Sequence, residues 1–342
     1  MNIWIIKDDK PGHYNQTAGI VLALQKMYPD LKIDYCEIEI KNKISRKLLK
    51  YLLNARPFVF KNQNSLKYIK YFYKKFTLPA SRPDLIVSTG GNTSNLNAWL
   101  SLAYGAKNIL NGALRGLHEE LFTCITTVID LGYKNQVILD VAPNTITQEI
   151  LKKEADIFSS LHHLDKNETY YTLLVGGDGS GYKYDVEFYS YLVEFIKKVS
   201  EERNVKWLIT TSRRTPLRIE QKLKKELDRH CAYFVEYHKQ AEKVLLPYLG
   251  LCEAVFVTED SASMISEAIA AQKEVYVLST EYSNPDENYK KILEKFSENR
   301  CIERVKINKP FDFQKIKYEF IPLSQTSIDE IVLKITSFIK QF

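Results

Sequence analysis

The chain has 342 residues, 45% of them apolar and 26% charged. This is a globular composition, which excludes a disordered or collagen-like protein, and the length suits two domains better than one core. The net charge of +6 is unevenly spread, because residues 40–83 hold twelve Lys or Arg and no Asp or Glu, leaving the remainder net negative by six.

No run of eighteen apolar residues occurs, and the opening MNIWIIKDDKPGH lacks a basic segment followed by a long apolar one. The expectation is a chain kept in the cytosol. Taken in order, apolar runs predict strands at 3–6, 33–36, 85–88, 107–110, 124–128 and 137–139, with helical patterns at 15–27, 44–53, 65–76 and 94–104. The stretch APNTITQEILKKEADIFSSLHHLDKNETY holds a turn, a short helix and a polar run, so it marks a domain boundary. The same rhythm then restarts, with strands at 172–175, 207–210, 232–235, 254–257 and 274–278 and helices at 186–200, 217–228 and 261–271. Alternation of this kind predicts an α/β fold, two doubly wound Rossmann-like domains facing across a cleft. The domains are expected at 1–160 and 161–342, with the last helix returning to the first. In such sheets ligands bind at the carboxyl ends of the strands.

Four strand-to-helix loops carry unusual residues. In IIKDDKPGHYNQTAG, Asp8 and Asp9 precede a Pro-Gly turn and His13 at a helix start. A neighbouring acid can fix the tautomer of such a histidine for general base work, with Asp9 as the second candidate. A structural histidine capping the turn is the competing reading. In LIVSTGGNTSNLNAWL, Gly90 and Gly91 permit close backbone approach, and Thr93 or Ser94 can cap the helix that follows. LLVGGDGSGYKYD places Gly176 and Gly177 in a run of four glycines in six positions, yet it matches neither GxGxxG nor the Walker pattern. It suits a phosphate or a hinge. LITTSRRTP ends a strand with Arg213 and Arg214, forked donors matched to phosphate oxygens.

The segment VFVTEDSASMISEAIAAQKEVYVL sets Thr258, Glu259, Asp260, Ser261 and Ser263 between a strand and a helix, with Glu267 about one and a half turns in. Hydroxyls and amides there suit a diphosphate, and a carboxylate suits a sugar diol. A capped helix with acids near its positive end is the plain alternative. Cys36, Cys124, Cys231, Cys252 and Cys301 are scattered without a CxxC pair, so neither a disulfide framework nor a zinc site is indicated.

The basic segment is interleaved with Tyr51, Phe58, Phe60, Tyr68, Tyr71, Phe72, Tyr73 and Phe76. That mixture suits an anionic, partly apolar surface such as a membrane. A pair of amphipathic helices with a solvated basic face fits too, whereas nucleic acid is disfavoured by the absence of any recognition-helix or RNP motif.

The motifs KPGHYNQTAG, APNTIT, VGGDGSGYKYD, TTSRRTP and VTEDSASMISEA, in this order, resemble the family named after the plant mitochondrial-fission factor "elongated mitochondria". Its bacterial members are regarded as glycosyltransferases of the GT-B fold, linked to lipopolysaccharide or lipooligosaccharide outer-core synthesis. The SMISE helix also resembles the donor-binding helix of MurG-type glycosyltransferases, which implies a ribose-binding role for Glu267. The segment GGNTSNLNAWL departs from the family pattern, with Asn92 where a basic residue often stands.

The resemblance implies a metal-independent transferase without a cofactor, peripheral on the inner face of the cell membrane. Its first domain would take a lipid-linked or glycan acceptor, and its second a nucleotide-sugar donor. A non-catalytic adaptor on the same scaffold, as for the plant member, is the alternative it also implies.

Overall fold

The structure, a computed structural model, describes residues 1–307 and 319–339. The chain divides into two compact units, Met1–Thr145 joined by the stretch from Gln325, and Ile146–Ser324.

The first unit contains β1 (Asn2–Lys7), α1 (Pro11–Met27), β2 (Lys32–Ile40), α2 (Lys43–Ala55), α3 (Ile69–Phe72), β3 (Tyr73–Phe76), β4 (Leu85–Thr89), α4 (Ser94–Tyr104), β5 (Lys107–Asn111), β6 (Cys124–Thr127) and β7 (Gln136–Ile138). They form a seven-stranded sheet in the order β3-β2-β1-β4-β5-β6-β7. Every pairing is parallel except that of β2 with β3. Side chains alternate across a strand, so Ile3 and Ile5 of β1 join a layer with α1 while Trp4 and Ile6 join one with α2 and α4. Covering both faces explains why the central strands are continuous apolar runs. In α2, Leu49 and Leu53 form the buried stripe, and each contributes roughly 1.5–3 kcal/mol by leaving water.

Residues 65–76 do not form the expected helix. They divide into a 3₁₀ turn over Gln63–Tyr68, the short α3, and β3. The cause is tertiary: β3 pairs antiparallel with β2, and Lys74 and Lys75 reach Glu39 and Glu37 at 2.8 and 2.7 Å. Part of the basic excess is therefore neutralised by acids that lie just before it in the chain.

The second unit contains α5 (Gln148–Leu161), β8 (Thr169–Leu174), α6 (Val186–Arg203), β9 (Val205–Thr210), α7 (Leu217–Leu227), β10 (Cys231–Val235), α8 (Leu245–Leu251), β11 (Ala254–Thr258), α9 (Ala262–Ala270), β12 (Glu274–Ser279), α10 (Glu287–Glu298) and β13 (Glu303–Lys306). Its sheet is wholly parallel in the order β10-β9-β8-β11-β12-β13, the doubly wound order of dinucleotide folds. Phe256 of β11 stacks on Tyr276 at 4.8 Å and meets Trp207 edge-on at 5.0 Å, filling one face with rings.

The boundary lies between 145 and 146 rather than at 160. Helix α5, expected to close the first domain, packs on α8 of the second unit, with the Phe158 and Tyr248 rings 5.6 Å apart. The last described helix, α11 (Ser327–Ile339), belongs to the first unit. It sends Ile331, Ile335 and Ile339 into the layer with α1, and Lys26 of α1 meets its Asp329 at 2.5 Å.

Candidate functional site

Strand order reverses between β1 and β4 in the first unit and between β8 and β11 in the second. Ligands bind such sheets at these switch points, at the carboxyl ends of the strands. The unusual loops of the sequence lie at both.

In the first unit, β1 delivers Asp8 and the start of α1 delivers His13. Asp8 Oδ2 lies 2.9 Å from His13 Nδ1, accepts a bond from Asn92 Nδ2 at 3.2 Å, and is almost wholly buried. Burial pushes the Asp8 carboxyl up, but the His13 bond and charge, the Lys10 amide and Asn92 together hold it below the usual carboxylate range. With Nδ1 committed to Asp8, Nε2 is the ring nitrogen left to accept a proton. Gly90 makes room for the ring: its φ is +84°, and a Cβ there would come within 2.4 Å of His13 Cε1. Beneath, Thr17 Oγ1 and Thr89 Oγ1 meet at 2.8 Å, and Asn111 reaches Gln16 and Thr126 at 2.8 and 2.9 Å. These buried bonds fix the ends of β4 to β6 and the first turns of α1. A cavity of about 410 Å³ opens beside Asp8, lined also by Asp9, Asn92, Lys7, Glu37 and Lys75.

In the second unit Asp260 is the hub. Its carboxylate accepts bonds from Thr258 Oγ1 at 2.7 Å, the Gly177 amide at 3.2 Å and Tyr184 OH at 3.2 Å, and it pairs with Arg214 Nη2. Burial raises its pKa, against the pull of Arg214 and of these donors. Gly176 gives its amide to Thr258 Oγ1 at 2.7 Å, and a Cβ on Gly176 would lie 2.2 Å from Asp260 Oδ1. Gly176 is therefore required by the close approach of Asp260 and Gly177 by that of the Arg214 carbonyl, 2.2 Å from where its Cβ would lie, and both amides are already used. Thr215 Oγ1 donates to the Val175 and Gly176 carbonyls, tying the arginine loop to the glycine loop.

Ser261 stands at the N-cap of α9 without a side-chain cap bond, and its hydroxyl lies 3.5 Å from that of Ser263. Glu267, further along α9, is half-buried and makes no ion pair or hydrogen bond among the described residues. Burial alone pushes its carboxyl up to about 7. A carboxylate so shifted and without a partner makes Glu267 a candidate functional position. Glu259 instead pairs through Oε1 with Arg304 Nε at 2.6 Å, while its Oε2 is buried without a hydrogen-bond partner among the described residues.

Residues 11–328 match the profile of the family described as Mitochondrial fission ELM1. The chain belongs to that family. An uncharacterized protein of Rickettsia prowazekii (strain Madrid E) is 21% identical over 308 residues, covering 81% of this chain and 83% of the relative. Among solved structures, the UDP-GlcNAc 2-epimerase of Methanocaldococcus jannaschii superposes with a TM-score of 0.60 at 14% identity, over 99% of this chain and 100% of that one. A UDP-GlcNAc 2-epimerase of Neisseria meningitidis bound to UDP-GlcNAc gives 0.54 at 10% identity, over 100% and 92%. At such identities the likeness is one of fold, and the expected pair of doubly wound Rossmann-like units, of the GT-B kind, is the observed fold.

In this ELM1-family chain the residues singled out from sequence fall unevenly. His13 is held by Asp8, while Asp9 is exposed and makes no side-chain hydrogen bond or ion pair among the described residues. Gly176, Gly177, Arg214, Thr258 and Asp260 form one bonded cluster, with Ser261, Ser263 and Glu267 following along α9. Arg213 is exposed and has no ion pair among the described residues, whereas Arg214 is paired with Asp260, so the two arginines do not form one fork. Thr93 does not cap α4; its hydroxyl donates to the Thr89 and Gly90 carbonyls. Tyr184 and Thr215 escaped the sequence reading, and Asn92 entered it only as a departure from the family pattern, not as a partner of Asp8. Tyr184 meets Asp260 across 76 residues of chain, a pairing no local pattern announces.

Proposed function

We propose that the protein is a glycosyltransferase that moves a sugar from a nucleotide-activated donor to a membrane-associated glycan or glycolipid of the lipopolysaccharide core type. The second unit holds the donor: Glu267 accepts bonds from the ribose hydroxyls, Ser261 and Ser263 offer hydroxyls to the diphosphate, and Arg213 and Arg214 bring positive charge. The first unit supplies the acceptor site and the base. His13 Nε2 takes the proton of the acceptor hydroxyl, whose oxygen attacks the anomeric carbon as the bond to the diphosphate breaks. The nucleotide diphosphate leaves with the electron pair, and positive charge and helix amides stabilise it without a metal ion.

The observation that carries this reading is the unpaired, half-buried carboxylate of Glu267 at the switch point of a dinucleotide-type sheet. UDP-GlcNAc bound in the Neisseria fold relative supports the same ligand class. A thermal-shift screen of nucleotides and nucleotide sugars tests it, since a ligand at a hundred times its Kd adds about 2.7 kcal/mol to stability.

Membrane docking belongs to the same proposal. In α2, Ile44, Leu48 and Tyr51 share one face at 77%, 49% and 67% exposure, and Phe58 and Tyr71 are exposed nearby. Lys67 and Lys70 have no carboxylate partner among the described residues and lie over the Tyr68 and Tyr71 rings at 5.0 and 5.7 Å. This combination suits the headgroup level of an anionic inner-membrane surface. No helix among the described residues is long and apolar enough to cross a membrane.

The second reading is a non-catalytic adaptor. It is favoured by the Gly176 and Gly177 amides, which are spent on Thr258 and Asp260 rather than left for a ligand. Nucleotide binding separates the two.

A further inference from the structure

A second cavity in the first unit, of about 130 Å³, is lined by Arg46, Lys47 and Lys50 of α2 and by Arg115 of the loop after β5, together with Gly91 and Ser94 at the start of α4. None of these four cations has a carboxylate within 4 Å among the described residues. Lys74 and Lys75, from the same basic stretch, are both paired. Convergence of unpaired like charges is unfavourable unless an anion joins them.

The convergence is built rather than incidental. Lys50 Nζ donates to the Arg115 carbonyl at 3.0 Å, Asn54 Nδ2 to the Gly116 carbonyl at 2.8 Å and Asn95 Nδ2 to the Arg46 carbonyl at 3.0 Å, so α2, α4 and the loop are tied around the cavity. Arg115 lies across Gly91, where a Cβ would meet its Cδ at 2.7 Å. No side chain caps the first turn of α4. The Ser94 amide is spent on the Gly90 carbonyl, but the positive end of α4 still adds charge of the same sign to a site already ringed by cations. One residue links this cavity to the histidine: Arg46 Nη1 donates to Asn92 Oδ1 at 3.2 Å, and Asn92 Nδ2 donates to Asp8.

We infer that Arg46, Lys47, Lys50 and Arg115 form a phosphoryl-binding pocket, separate from the donor site, that takes a phosphate monoester or diphosphate group. Its assignment to the acceptor rests on the transferase reading, but the pocket itself does not. The Asn92 bridge then places a phosphorylated acceptor one side chain away from the Asp8 and His13 pair.

The test is a titration of the full chain with inorganic phosphate and with pyrophosphate, read by NMR at the Gly91, Ser94 and Asn95 amides so that binding in the second unit does not contribute. Saturable shifts are expected at these amides. Lys47→Gln with Arg115→Gln should weaken binding about tenfold or more, the scale of losing charge-assisted bonds. Arg115→Lys should restore most of it, and a charge-matched control in the second unit, Lys152→Gln with Lys153→Gln, should change nothing. Glycerol phosphate compared with vesicles containing phosphatidate then separates a free phosphoryl group from a lipid headgroup, and binding of either supports the pocket. Absence of saturable shifts, or an equal loss in the control, overturns the inference. Saturable phosphate binding in a protein that binds no nucleotide would keep the pocket and remove the transferase reading.

Discussion

Asp8 Oδ2 and His13 Nδ1 lie 2.9 Å apart, with the ring resting on Gly90 and Asn92 holding the same carboxylate oxygen. The pair fixes one ring nitrogen and leaves the other to work. His13→Ala is expected to lower turnover about a hundredfold or more with donor affinity unchanged, the scale of losing a general base. Asp8→Asn should also lower turnover, because an amide can no longer fix the tautomer. Steady-state kinetics beside nucleotide calorimetry checks both.

Asp8 also sets a pH dependence. Its folded pKa lies below the ordinary carboxylate value, so its contribution to stability is present above that value and lost as pH falls through the folded one. Urea unfolding at descending pH should show a smaller acid-dependent loss in Asp8→Asn than in the parent.

Gly90→Ala tests the seat of the ring. The left-handed φ of +84° and the 2.4 Å approach of His13 Cε1 leave no room for a methyl group. Stability should fall by about 1 kcal/mol or more, and turnover should fall as in His13→Ala while nucleotide binding persists. Full turnover in a folded Gly90→Ala protein would show that the ring position is irrelevant.

The two arginines should behave differently. Arg214→Gln leaves the Asp260 charge buried without its cation, a change that costs about 3–5 kcal/mol when such pairs are broken. Since the Arg214 side chain is 37% exposed, a value at or below the lower end is expected. Arg213→Gln should leave stability within about 0.5 kcal/mol, as surface changes do. Urea unfolding of both single variants makes the comparison.

The α2 face predicts the membrane result. Sedimentation with anionic liposomes should occur at low salt and weaken as salt rises, since each Lys or Arg at such a surface contributes about 1 kcal/mol and is screened. Ile44→Ser with Tyr51→Ser should remove the salt-resistant remainder, because apolar burial is not screened. Lys67→Gln with Lys70→Gln should weaken the low-salt binding more than Lys74→Gln with Lys75→Gln, whose lysines are already paired with Glu39 and Glu37. Failure to bind at low ionic strength would remove the membrane part of the proposal.

Much of the fold was legible because buried parallel strands write themselves as apolar runs: β1, β4, β5, β8, β9, β11 and β12 all lie where those runs predict them. What failed depended on distant partners. Strand β3 reads as the end of an amphipathic helix until Glu37 and Glu39 of β2 are set against its lysines. Helix α5 reads as the close of one domain until Tyr248 is set against Phe158. The site was legible as loops but not as bonds. Sequence places Gly176 and Gly177 near a phosphate, whereas their amides serve Thr258 and Asp260, partners about eighty residues away that no local spacing reveals.

Glu267 carries the central claim, that the second unit binds a nucleotide-activated sugar, and its test has two readouts with opposite signs. Its folded pKa of about 7 lies above the unfolded value, so the stability it allows is full in acid and falls as pH rises from the ordinary carboxylate range through 7. Glu267→Gln should therefore unfold at a higher temperature than the parent near pH 8, with the difference vanishing near pH 4. In the same samples, calorimetric titration with UDP- and ADP-sugars should show saturable binding to the parent that strengthens as the carboxylate ionises, and binding at least tenfold weaker in Glu267→Gln. A variant that gains stability and loses the nucleotide is the predicted result; a parent that binds no nucleotide sugar, or a variant that binds it as well as the parent, would contradict the claim.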